Sequence, residues 1–174
     1  MWKKTRTCKL YKNHNVVCKH FVSNLKENDL HRKGPINCVC FKDLDTIFNN
    51  EVSLLEKLKN YDHFPKITKT IKQKYQIYMT HCGNSLKELK DKKKINKIPR
   101  DWPQQIKEIS DSLTEQNIYH NDIALTNVCI KKHKIYLIDF GCCQPLDLKL
   151  KENFDNRNNS IDLTNLFKNL IKQS

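Results

Sequence analysis

The chain has 174 residues, enough for one ordinary domain or for two small lobes around a cleft. Apolar residues make up 38% and charged residues 29%, which excludes a disordered chain and demands a heavily solvated exterior. The net charge of +13, nearly all lysine, favours an anionic partner such as nucleotide, nucleic acid, an acidic protein face or anionic lipid.

Val16 to Val22 and Ile36 to Lys42 are rich in β-branched residues and cysteine and read as strands, with Lys33-Gly34-Pro35 as turn material between them. From Asp45 to Asn60 the period changes. Ile47, Phe48, Val52, Leu54, Leu55 and Leu58 form a helical stripe, with Asp45 or Thr46 as its cap. Ile67 to Ile71 and Tyr75 to Thr80 form a strand pair turning near Lys72-Gln73-Lys74. A connector follows, His81-Cys82-Gly83-Asn84, after which Ser85 caps a short helix carrying Leu86 and Leu89.

Lys90 to Lys97 is polar and exposed. Asp101-Trp102-Pro103 opens a second clear helix, a cap with proline in the first turn, whose stripe is Trp102, Ile106, Ile109 and Leu113 and which ends near Asn117. Val128 to Lys131 and Lys134 to Phe140 are strands joined by a tight turn centred on His133. Ser160 caps a last helix bearing Leu163, Leu166, Phe167 and Leu170. The order of elements predicts an α+β protein with a sheet-rich first lobe and a helical second lobe.

Two exclusions narrow the chemistry. No run approaches the ~18 apolar residues needed to span a membrane, and Met1-Trp2-Lys3-Lys4 is not an apolar signal segment. The expectation is a cytoplasmic protein whose eight cysteines stay reduced and serve mostly as small core residues. Cys38-x-Cys40 and Cys142-Cys143 have the wrong separation for a zinc knuckle; Cys8, His14, Cys18 and His20 are a weak zinc candidate. Few aromatics lie between the basic residues, and the densest basic run is Lys92-Lys93-Lys94, so charge permits nucleic acid but no motif indicates it.

The informative stretch runs from Ile118 to Gly141. The polar run His120-Asn121-Asp122 interrupts apolar sequence after a helix and before a hairpin, and Asp122 and Asn127 bracket one short loop. Asp139 ends the apolar strand Ile135 to Ile138, and Gly141 lets the chain turn there. Two carboxylates and an amide oxygen converging in this way make a hard-oxygen site suited to Mg²⁺.

His120, Asp122, Ile123 and Asn127, followed by Asp139-Phe140-Gly141, resemble the protein-kinase signature H-R-D-L-x-x-x-N and D-F-G. The resemblance implies a bilobal fold that binds ATP with Mg²⁺, in which Asp122 orients or deprotonates an acceptor hydroxyl while Asn127 and Asp139 hold the metal. His-Asn-Asp in place of His-Arg-Asp is also similar to choline and aminoglycoside kinases and to small atypical kinases of the RIO and tRNA-modification type. The missing arginine argues against control by a phosphorylated activation loop.

Further residues fit the resemblance. Val39-Cys40-Phe41-Lys42 stands where V-A-I-K would be, making Lys42 the candidate for the α- and β-phosphates, and Glu51 resembles the helix glutamate that would hold it. Phe64-Pro65-Lys66-Ile67 resembles the stretch leaving that helix. Met79 would be the gatekeeper, with the backbone of His81 and Cys82 meeting adenine, and Asp162 resembles the aspartate that braces the catalytic loop. The implied division is 1–80 as small lobe, 81–84 as hinge and 85–174 as a reduced large lobe, with the role of residues 1–35 open.

Two departures matter. No glycine lies between Leu10 and Val22, so the Gly-rich phosphate loop is absent, and only 33 residues follow Gly141, with no A-P-E segment among them. The expected activity is a minimal serine/threonine protein kinase, of a compositional type suggesting a virus or intracellular microbe. The alternatives are a pseudokinase used as an interaction module, a small-molecule kinase of the choline or aminoglycoside type, and a basic nucleic-acid binder.

Overall fold

The computed structural model describes residues 2–4, 8–12, 15–21, 44–146 and 158–172. Its first sheet is built from β1 (Trp2–Lys4), β2 (Cys8–Lys12), β3 (Val16–Phe21), β4 (Ile67–Ile71) and β5 (Gln76–Thr80). The spatial order is β1-β2-β3-β5-β4, all antiparallel. Residues near the N-terminus therefore complete this sheet. The segment expected as a strand at 36–42 lies outside the described residues.

Helix α1 (Leu44–Lys57) lies against the sheet because its buried positions, Ile47, Phe48, Glu51 and Leu55, recur with helical spacing on one face. Phe48 meets Phe21 and Tyr75 edge-on at 5.9 and 5.8 Å, a favourable aromatic geometry. Glu51 shares that apolar face, so the fold must supply it with a cation. Between β4 and β5 the expected turn at Lys72–Lys74 is one turn of 3-10 helix, and Tyr75 leaves it in the left-handed region at φ 47°.

The second half begins with β6 (Asn84–Ser85) and α2 (Leu86–Asp91). Ser85 accepts a bond from the Glu88 N–H while the Glu88 carboxylate accepts from the Ser85 N–H, a reciprocal cap. Helix α3 (Trp102–Glu115) starts with proline as expected, but Asp101 does not cap it through its side chain; its carboxylate takes the Gln105 amide instead. Next come β7 (Ile118–Tyr119), β8 (Val128–Lys131), β9 (Lys134–Leu137), β10 (Gln144–Pro145) and α4 (Asn159–Lys172). The last helix is capped by Asn158, whose Oδ1 accepts from the Ile161 N–H at 3.0 Å, rather than by Ser160.

Strands β6, β8 and β9 form a small antiparallel sheet, and β7 pairs with β10. Trp102 stacks on Phe167 at 5.3 Å, joining α3 to α4, and Ile106, Ile109, Leu113, Leu163 and Leu170 fill the core around them. Gly83 links the two halves at φ +93°; a Cβ there would sit 2.1 Å from the Ile130 carbonyl oxygen, so only glycine fits. The outcome is an α+β protein with a sheet-rich first half and a helical second half, a truncated kinase-like arrangement. Among the described residues, no helix is long and apolar enough to cross a membrane.

Candidate active site

Strand alternation sends Val17 and Lys19 to the same face of β3, and the register with β5 sets Val17 opposite Met79 and Lys19 opposite Ile77. The Lys19 ammonium reaches both Glu51 oxygens, at 2.7 and 2.8 Å, and Asp139 Oδ1 at 2.7 Å. It also stands 5.1 Å from the Phe21 ring centre. Glu51 is 1% exposed. Burial pushes its carboxyl upward and the Asp139 charge adds to that, against the pull of Lys19. For Asp139, burial also pushes upward, but the Lys19 charge and hydrogen bond, with help from His120 and the Gly141 N–H, hold it below the usual carboxylate range. Asp139 is therefore ionised at neutral pH.

The strand expected to reach Phe140 stops at Leu137. Asp139 adopts φ 69°, and Phe140–Cys142 make a turn of 3-10 helix. A left-handed non-glycine residue costs about 1–2 kcal/mol, and here it turns the carboxylate toward Lys19. Asn121, in the neighbouring loop, is likewise left-handed at φ 60°. Residues held in sparsely populated backbone regions cluster at functional sites.

The loop is braced from below. Asn159 accepts from the His120 N–H at 3.0 Å and donates to the Ile118 carbonyl at 2.7 Å. Asp162, which the resemblance nominates for that role, instead accepts from the Tyr119 hydroxyl at 2.7 Å. His120 is fully buried, bonds the Ile138 carbonyl through Nε2 at 3.1 Å and packs edge-on to Phe140. A carbonyl only accepts, so Nε2 carries the proton; burial lowers the imidazole's proton affinity, with Asp139 opposing. His120 is a neutral brace between the loop and the strand end.

Asn127 donates its amide hydrogens to the Asp122 carbonyl at 2.9 Å and to Asp122 Oδ2 at 2.8 Å. That commitment turns both amide hydrogens away from its Oδ1 and fixes the Asp122 carboxylate. Asp122, Asn127 and Asp139 all line one cavity of about 400 Å³. The donor set of Asn127 Oδ1 and an ionised Asp139 fits Mg²⁺, which takes one or two protein oxygens and completes its shell with water and phosphate. Among the described residues no group of three His, Cys, Asp or Glu side chains gathers to hold a metal without such help.

Glu51, Met79, His81 and Cys82 line the same cavity, so seven of the eight site residues expected from the sequence meet there. Lys42 lies outside the described residues, and the ammonium on Glu51 belongs to Lys19, 32 positions away in sequence. The signal for it was present: Val16-Val17-Cys18-Lys19 matches the same pattern as Val39-Cys40-Phe41-Lys42 and stands at a roomier separation from Glu51. At the connector, the backbone of His81 is already engaged, its N–H by the Asn15 carbonyl at 2.9 Å and its carbonyl by Lys131 Nζ at 2.7 Å. Cys82, whose thiol is pushed up to about 11 by burial, is inert as a nucleophile.

Several solved structures share this fold. A crystal structure of WbdD has 15% identity, covers 97% of this chain and 48% of its own in the monomeric form, with a TM-score of 0.62. A WbdD structure with an ordered C-terminal bundle has 15% identity, covers 100% and 36%, and has a TM-score of 0.68. A co-crystal of WbdD with the kinase inhibitor LY294002 has 16% identity, covers 99% and 45%, and has a TM-score of 0.60. WbdD is described as a bifunctional kinase-methyltransferase. This chain spans less than half the length of these structures, and at such identity the likeness establishes a kinase-like fold. No family model matches the chain, and no curated protein matches it in sequence.

Proposed function

We propose that this chain is an ATP-dependent phosphotransferase that moves the γ-phosphate to a serine or threonine hydroxyl of a protein. The observation that carries the reading is the buried Lys19 ammonium bridging Glu51 and Asp139 in the cavity that also holds the Asp122–Asn127 pair. Lys19 grips the nucleotide's α- and β-phosphates, and Glu51 keeps its ammonium aimed into the cleft. Asn127 and Asp139 hold magnesium, which when bound screens the phosphate charge. Asp122, fixed by Asn127 at one oxygen, offers the other to the acceptor hydroxyl and orients it for in-line attack. Adenine lies between Met79 and Cys82. Residues 1–80 form the small lobe, 81–84 the hinge and 85–174 the reduced large lobe.

Thermal unfolding with and without Mg-ATP tests the binding half: saturation at 100 Kd stabilises the native state by about 2.7 kcal/mol. Asp139→Ala should remove the magnesium-dependent part. The catalytic half is tested by phosphate transfer, which the double variant Asp122→Asn/Asp139→Ala should abolish; equal transfer by wild type and double variant disposes of the proposal. A second reading, a pseudokinase serving as an interaction module, is favoured by one feature. None of the three glycines lies in the stretch from β1 to β3, so the strands leading to Lys19 carry no glycine-rich turn to cover phosphates. It predicts no transfer to any acceptor and a partner retained when Asp122 and Asp139 are changed.

A further inference from the structure

Beside the connector, sharing Thr80 and His81 with the nucleotide cavity, lies another recess of about 420 Å³ lined by Lys66, Lys131, Lys132 and Lys134, with Asp62 as the carboxylate among its described lining residues. A lysine-rich surface is ordinary in this chain, but here the ammoniums of Lys66, Lys131 and Lys134 are held in place. Lys66 donates to the Leu58 carbonyl at 3.1 Å and to the Tyr61 carbonyl, and Lys131 donates to the His81 carbonyl at 2.7 Å. Carbonyl oxygens position an ammonium without neutralising it. Among the described residues, Lys134 is the one lysine of the recess in an ion pair, with Asp62 at 2.7 Å, so the recess keeps its positive charge. Burial, and the neighbouring Lys134 charge, lower the Lys66 proton affinity against the pull of Asp62.

The turn that presents Lys132 adds an independent observation. Lys132 and His133 both adopt left-handed conformations, φ 49° and 62°, in a two-residue hairpin connection that favours Asn-Gly. The chain thus accepts a backbone cost and sets an exposed lysine at the rim of the recess. Like charges gathered at short range in a partly buried recess repel, and a multivalent anion removes that repulsion while accepting charge-assisted hydrogen bonds.

We propose that this recess is a binding site for a soluble polyphosphate-type anion, separate from the nucleotide cavity. The probe is inorganic tripolyphosphate without magnesium, titrated calorimetrically into the full chain. Lys19→Met/Glu51→Gln removes the nucleotide cavity's phosphate-facing ammonium without stranding a buried carboxylate, and it should leave affinity unchanged. Lys131→Gln/Lys132→Gln should weaken it about tenfold or more, as loss of two charge-assisted bonds implies. Lys132→Asn/His133→Gly, which relaxes the turn while removing one charge, should weaken binding without loss of fold. Three outcomes overturn the proposal: binding lost in Lys19→Met/Glu51→Gln, an equal loss in the remote control Lys168→Gln/Lys172→Gln, or binding of a short single-stranded RNA at these lysines with none of tripolyphosphate.

Discussion

Replacing Lys19 with methionine isolates the electrostatics of the buried Lys19–Glu51 pair, beside which Asp139 is 42% exposed. Glu51 is 1% exposed and loses the cation that bonds both its oxygens. A carboxylate in that position escapes by taking up a proton, and the cost of doing so caps the penalty. From an ordinary glutamate value near 4.3 to pH 7, the cap is about 3.7 kcal/mol. At pH 5 the same quantity falls to about 1 kcal/mol, because the pH then lies less than one unit above the unfolded glutamate's own value. The sign follows from a folded-state value raised above the unfolded one: the penalty is absent below the unfolded value and grows as pH rises. Asp139 acts oppositely in the wild type, where its lowered value adds stability that is lost only on strong acidification.

Urea unfolding reads this directly. With a slope of about 2 kcal/mol per molar, the gap between wild type and Lys19→Met should be about 1.8 M at pH 7 and about 0.5 M at pH 5. Lys19→Met/Glu51→Gln should recover most of the loss at pH 7, since the amide carries no charge to strand. A gap that does not change between pH 5 and pH 7, or a double variant no more stable than the single one, would refute the reasoning.

Asn159→Ala should destabilise by about 2–4 kcal/mol, because it leaves the His120 N–H and the Ile118 carbonyl buried without partners; urea unfolding measures the loss, and transfer activity should fall further than the folded fraction. Gly83→Ala forces the Ile130 carbonyl to move and holds alanine at φ +93°, so its urea midpoint should drop by more than about 1 M, equivalent to 2 kcal/mol. Trp102→Ala removes the half-buried ring stacked on Phe167 and should cost about 2–3 kcal/mol, below the range for a fully buried ring, read by the same titration, with Mg-ATP stabilisation of the remaining folded protein intact.

Helix α1 and helix α3 were legible because apolar residues recurring at helical spacing bury one face in any compact fold, and Ser85 announced α2 through a local cap. The loop at Asp122 and Asn127 and the strand end at Asp139 were legible for a similar reason, since each lies within a short segment whose turns are set by its own residues. The strands β1 and β2 were not, because short edge strands carry little periodicity and depend on the partner they pair with.

The sequence by itself determined the local elements and the oxygen-bearing groups, since helical periodicity, caps and tight turns are decided over a few residues. Only the tertiary structure decided that Lys19 meets Glu51, that Asn159 rather than Asp162 holds the His120 amide, and that Lys66 shares one recess with the three lysines of the β8–β9 hairpin. Those partnerships join residues tens of positions apart, and their choice follows from strand register and from the need of each buried polar group for a partner.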